Sequence, residues 1–118
     1  MAKTKRAKTI RVGITPNTFS YLFKRFKGQK EEYEFSELSE LRQVLSNEKA
    51  KILYTIKYEK PDSIYQLAKL LGRDFKSVSQ DLRLLEKFGF IEFKRVQEGR
   101  NKLKPVLIID SLNIIFEV

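Results

Sequence analysis

Residues 63–106 read SIYQLAKLLGRDFKSVSQDLRLLEKFGFIEFKRVQEGRNKLKPV, and their punctuation decides the fold. Ser63 and Gln66 have the S-x-x-Q spacing of a capping box, in which a hydroxyl and an amide each satisfy a free backbone N–H of a helix's first turn. Ile64, Leu67, Ala68 and Leu71 then recur at helical spacing as one apolar stripe, and Gly72 supplies the left-handed residue that ends such a helix. After a short turn, Asp74 is placed to cap a second helix, with Phe75, Val78, Leu82 and Leu85 as its buried face and Gly89 as its stop. From Phe90 to Val96 the residues become β-prone, the polar run QEGRNK follows as a loop, and a second β-prone run covers 106–109. Gly99 and Asn101 suit a loop tip, and Pro105 suits a strand start or edge. The pattern predicts an α+β fold: a helix-turn-helix followed by a β-hairpin wing.

On the second helix, Lys76, Ser77, Ser79, Gln80 and Arg83 lie opposite the apolar stripe. Gln pairs bidentately with adenine, Arg with guanine, and Ser with base edges or phosphate, so these residue types suit a helix laid in the major groove of DNA. A merely solvated face of an amphipathic helix would carry similar residues. The hairpin tips the balance, because Lys94, Arg95, Arg100, Lys102 and Lys104 face Glu98 alone in and beside its loop. Such a tip suits a phosphate backbone, and Arg73 and Asn101 join the expected phosphate contacts.

The segment IYQLAKLLGRDFKSVSQDLRLLEKFGFIEF resembles the winged helix-turn-helix transcriptional regulators of the MarR and ArsR type, and within them a group of small prokaryotic DNA-binding proteins. It looks like that family's L-A-x-x-L-G-R-D…V…D-x-x-x-L-x-x-x-G-L-I core, with Phe90 where the family usually has Leu. The resemblance covers residues 45 to about 109. It implies that the helix beginning near Asp74 is the recognition helix, with Lys76, Ser77, Ser79, Gln80 and Arg83 facing DNA and the wing spanning residues 95–104. It brings no effector pocket and no metal-ligand set.

A chain of 118 residues suits one domain with its own core. It has no Cys and no His, which excludes disulfides, Cys/His zinc sites, Cys nucleophiles and His general bases. No apolar run approaches the ~20 residues of a membrane span, and no apolar segment follows the basic start, so a cytoplasmic address is expected. The net charge of +9 is unevenly spread. Residues 1–30 carry nine Lys or Arg and no acid, whereas residues 31–46 carry five Glu and one Arg. Residues 72–104 are again basic, with nine cations against five acids. Positive charge concentrated at the start and on the helix-turn-helix and wing is the footprint of a nucleic-acid binder.

Residues 1–8 read as a disordered basic arm, in which Lys3, Lys5, Arg6 and Lys8 either track phosphates or are simply solvated. Residues 9–14 form a short strand with Ile10, Val12 and Ile14 on one face. Thr15 and Pro16 mark a helix start, Phe19, Leu22, Phe23 and Phe26 its apolar face, and Gly28 its end. That aromatic stripe has helical spacing, which favours core or dimer surface over a base-stacking platform. A brief extended piece is expected at 33–35. Ser36 then caps a helix with Leu38, Leu41, Val44 and Leu45, and Ser46 or Asn47 caps another with Ala50, Ile52, Leu53 and Ile56 that exits at Pro61. Tyr54, Tyr58 and Tyr65 are expected on the surface. The apolar finish IIFEV should pair with the 9–14 strand, in the same chain or a second subunit, or with the wing sheet.

The expected organisation is therefore a basic arm (1–8), a strand–helix extension serving as a dimer or partner surface (9–45), and a winged helix-turn-helix domain (46–118). The expected function is sequence-specific binding of double-stranded DNA by a homodimeric transcriptional regulator. Helix 75–88 reads bases and wing 94–104 holds phosphates, with no catalysis, cofactor or metal. The alternative is an antitoxin-like or adaptor module, which neutralises or recruits a protein partner such as a toxin and regulates its own operon. RNA binding is weaker, for want of a ribonucleoprotein aromatic motif or a GXXG loop.

Overall fold

The computed structural model describes residues 6–14, 16, 37–98 and 100–118, with the backbone alone for 37–40, 97, 98, 100 and 101. Along the described chain run β1 (Ala7–Gly13), α1 (Glu37–Val44), α2 (Asn47–Glu59), α3 (Ile64–Leu71), α4 (Phe75–Lys87), β2 (Ile91–Glu98), β3 (Arg100–Leu107) and β4 (Ser111–Glu117). The fold is α+β, with the strands in two small sheets, β1 with β4 and β2 with β3.

Each central helix begins at a side-chain cap. Lys49 N donates to Ser46 Oγ at 3.2 Å, Gln66 N to Ser63 Oγ at 3.0 Å and Ser77 N to Asp74 Oδ2 at 2.9 Å. Such caps satisfy N–H groups that have no partner within the helix. The reciprocal arm of the expected capping box lands one residue early, since Asp62 N, not Ser63 N, donates to Gln66 Oε1 at 2.6 Å. Helix α3 ends at Gly72, whose φ of 67° lets Gly72 N and Arg73 N turn back to the carbonyls of Lys69 and Ala68. Helix α2 ends instead on Lys60, with φ 48° and ψ 59°, a left-handed position held by a residue with a side chain.

The core lies where α2, α3 and α4 meet the start of the hairpin. Ile52, Ile56, Leu67, Val78, Leu82, Leu85, Phe90 and Ile91 are its buried heart, with Phe93 and Leu107 packed against it. Phe75, expected on the buried face of α4, is 51% exposed. It is the first residue of the helix, one turn ahead of Val78, beyond the edge of the stripe that the core covers. Leu45 and Ala50 are also exposed, while Leu41 and Val44 of α1 are buried.

Strands β2 and β3 pair antiparallel from Ile91 opposite Leu107 out to Glu98 opposite Arg100. The run QEGRNK is therefore mostly ladder rather than loop, and β3 begins at Arg100 instead of residue 106. Polar residues on both faces of the outer hairpin hid the two-residue alternation by which a strand is read. Pro105 sits within β3 opposite Phe93 and is buried; among the described residues β2 and β3 pair only with each other, so each has an edge that spares the missing N–H.

The apolar finish pairs with the first strand of the same chain. β1 and β4 are parallel, with Ala7 opposite Ser111 and Gly13 opposite Glu117. Backbone bonds extend the pair at both ends, from Asp110 N to Arg6 O at 2.7 Å and from Ile14 N to Glu117 O at 2.7 Å. Ile10 and Val12 are buried, and α1 lies against their strand. The strand begins at Ala7, so Lys8 belongs to a sheet and not to a disordered arm. The expected helix with Phe19, Leu22, Phe23 and Phe26, and the extended piece at 33–35, fall outside the described residues.

Candidate functional site

The outward side of α4 is the first candidate. Lys76, Gln80 and Arg83 are all exposed, and their i, i+4, i+7 spacing sets them in one row opposite Val78, Leu82 and Leu85. Ser79 is half-buried beside that row.

Ser77 and Arg73, by contrast, face inward to each other. Arg73 Nη2 donates to Ser77 Oγ at 2.6 Å and to Asp81 Oδ2 at 2.9 Å, and Lys49 Nζ stands 3.9 Å from Asp81 Oδ1. These side chains are largely covered, Asp81 being 22% exposed, Arg73 25% and Lys49 14%. The cluster joins the α3–α4 turn, α4 and α2 through one carboxylate, and Arg73 Nη1 is buried within it without a hydrogen-bond partner. Arg73, expected as a phosphate contact, and Ser77, expected as a base contact, are thus hydrogen-bonded to each other, with Asp81 as the second acceptor of Arg73. Asp81, one turn beyond Ser77 on the same helix flank, competes for the guanidinium at close range. Sequence reading missed Asp81 and Lys49, and the D at i+4 from Ser77 was the available signal.

On the hairpin, Lys94, Arg95 and Lys102 are exposed and Lys104 is half-buried. Lys94 and Lys104 are directly opposed across the ladder, and Lys102 faces Val96 two pairs further out. The side chains of Arg100 and Asn101 lie outside the described residues, as do Lys3 and Lys5. Arg6 is exposed, and its backbone N donates to Asp110 Oδ2 at 3.0 Å. Two lysines that sequence reading passed over, Lys57 and Lys60 at the end of α2, line one hollow with Lys94 and Lys104.

Among the described residues there is no group of three or more acidic, Cys or His side chains placed to hold a metal ion, and no helix is long and apolar enough to cross a membrane. Exposed aromatics occur on α2 and α3: the Tyr54 and Tyr58 rings pack at a 49° tilt with centroids 4.6 Å apart, Tyr65 is exposed, and so is the aliphatic Leu70.

No protein of curated function matches the chain. The model of the family described as HVO_A0114 matches residues 44–114, from the last residue of α1 through the hairpin and into β4. That span is more than half of the sequence and holds the α2–α4 core, the α4 row and the hairpin lysines, and the chain accordingly belongs to the HVO_A0114 family.

Proposed function

We propose that this protein is a sequence-specific DNA-binding transcriptional regulator of winged helix-turn-helix type. In this reading α3 and α4 are the helix-turn-helix, and the β2–β3 hairpin is the wing. The observation that carries it is the exposed row Lys76, Gln80 and Arg83 on a helix whose opposite side is locked in the core, beside a hairpin rich in cations. Gln80 and Arg83 have the donor and acceptor groups that discriminate base edges. Arg95 and Lys102 on the outer hairpin, with Lys94 and Lys104 nearer its base, supply phosphate contacts. We place the protein on DNA as a homodimer, a reading supported by the apolar side chains that β4 leaves more than a third exposed. Two copies would then match two half-sites.

The test is a salt titration of binding to a duplex from the protein's own promoter against a random duplex of equal length. Operator recognition gives a steep salt slope and a preference of ~10³ or more for the promoter duplex. Equal, weak binding to both duplexes overturns the reading.

A second reading, an antitoxin-like or adaptor module, draws support from the exposed Tyr54, Tyr58, Tyr65 and Leu70 on α2 and α3, since Tyr-rich surfaces are enriched at protein interfaces. Under it, a stable complex with a protein partner would be lost on Tyr54→Ser with Leu70→Ser, while DNA binding would be unaffected.

A further inference from the structure

We propose that the hollow between the C-terminal end of α2 and the hairpin is a binding site for a small amphipathic organic anion, an apolar body carrying a carboxylate, sulfonate or phosphate. The hollow has a volume of about 350 Å³, within the ~300–1,000 Å³ range of ligand pockets. Its floor is apolar, formed by Ile56, Pro105, Val106 and Leu107. Four lysines, Lys57, Lys60, Lys94 and Lys104, complete its lining, with no acidic residue among the lining groups. Among the described residues no carboxylate stands within 4.0 Å of any of the four; Lys57 Nζ lies over the Tyr58 ring, 5.3 Å from its centroid.

Two features show that this arrangement is held against a cost. Lys94 and Lys104 are direct cross-strand partners, and like charges so placed are destabilising. Lys60 occupies the left-handed position that ends α2, where Gly is the usual residue and any side chain is strained. A lysine at this position makes sense if its ammonium is used. An anion among the four would cancel the repulsion, and its apolar body would cover the floor. The neighbouring hollow, lined by Arg6, Lys94, Glu92 and Asp110, has mixed charge and lacks this selectivity. The site includes no residue of α4; it shares Lys94 and Lys104 with the proposed phosphate contacts of the hairpin but does not rest on the DNA-binding reading.

The test uses 8-anilinonaphthalene-1-sulfonate as the anionic probe in fluorescence titrations of the full chain, with neutral N-phenyl-1-naphthylamine and inorganic phosphate as comparisons. The sulfonate should bind saturably, one per chain, and at least about 10-fold more tightly than either comparison. Lys60→Gly should weaken it several-fold while raising thermal stability, because the strain is relieved as the charge is lost. Lys94→Gln with Lys104→Gln should weaken it by about 10-fold or more, whereas Lys69→Gln with Lys87→Gln should leave it within about two-fold of the parent. In the parent protein, amide resonances of Ile56 and Val106 should shift with the probe. Equal binding of the neutral amine, equal binding of phosphate, insensitivity to Lys60→Gly, or shifts confined to α4 would each overturn the proposal. Failure to prefer a promoter duplex would leave these titrations unchanged, so the two readings fail separately.

Discussion

The guanidinium of Arg73 donates to the carboxylate of Asp81 at 2.9 Å, across the turn that joins α3 to α4. The contact makes Arg73 part of the scaffold that sets the angle of α4, together with Ser77 and Lys49. Asp81→Ala strips both cations of the carboxylate they share, and it should cost about 2 kcal/mol, the scale of a lost hydrogen bond to a charged group. Urea denaturation would show this as a lower midpoint at unchanged slope.

The same contact separates two roles for Arg73. Arg73→Met should lower stability in urea denaturation yet leave the dependence of duplex affinity on salt unchanged. A fall of about one in that log–log slope would instead return Arg73 to the phosphate contacts.

Base reading and phosphate holding should come apart on the α4 row and the hairpin. Gln80→Ala should relax preference at one base position at a cost of about 1–3 kcal/mol. Arg95→Ala and Lys102→Ala should weaken promoter and random duplexes alike, each reducing the salt slope by about one. Binding assays over single-base variants of the duplex, at several salt concentrations, check both; equal losses on all sequences for Gln80→Ala would contradict the division.

Helix ends should be sensitive where the structure uses them. Ser63→Ala removes the acceptor of Gln66 N and should cost about 1 kcal/mol. Gly72→Ala places a Cβ at φ 67° and should cost about 1–2 kcal/mol, although nothing lies within 4 Å of that Cβ. Thermal unfolding of both variants reads these losses directly.

The proposed homodimer places β4 at risk. Ile114, Ile115 and Phe116 are 37–39% exposed, and among the described residues β4 has a strand partner on one side only. Ile115→Lys puts a charge on that strand and should convert dimer to monomer in light scattering without lowering the helical circular dichroism signal. A parent that is already monomeric would end the dimer reading.

The α3–turn–α4 segment was legible because several local signals agreed: the Ser63 and Asp74 caps, Gly72, and apolar residues at helical spacing. Phe75 misled because periodicity marks a stripe but not where the core beneath it ends. The outer hairpin was unreadable as strand, since QEGRNK at 97–102 holds no apolar residue and so shows no apolar alternation. Arg73 looked like a free cation because its acceptor lies across a turn. The lysine hollow was invisible for a different reason: Lys57 and Lys60 meet Lys94 and Lys104 only through folding, more than thirty residues apart. For the 9–14 strand and the apolar finish, sequence named the candidates but not the choice; packing of Ile10 and Val12 within one chain decided it.

The parallel β1–β4 pair also orders events in time. Its partners are about a hundred residues apart, so it forms only after a long loop has closed, whereas α2, α3 and α4 are neighbours along the chain. The helical unit should therefore assemble first and the clasp last. In native-state hydrogen exchange, the clasp should open as a separate low-energy unit while the α4 amides remain protected. If β4 is the surface on which two copies meet, association would then draw on the last-formed and first-lost part of the molecule, and the amount of dimer would respond to temperature well before the helices melt.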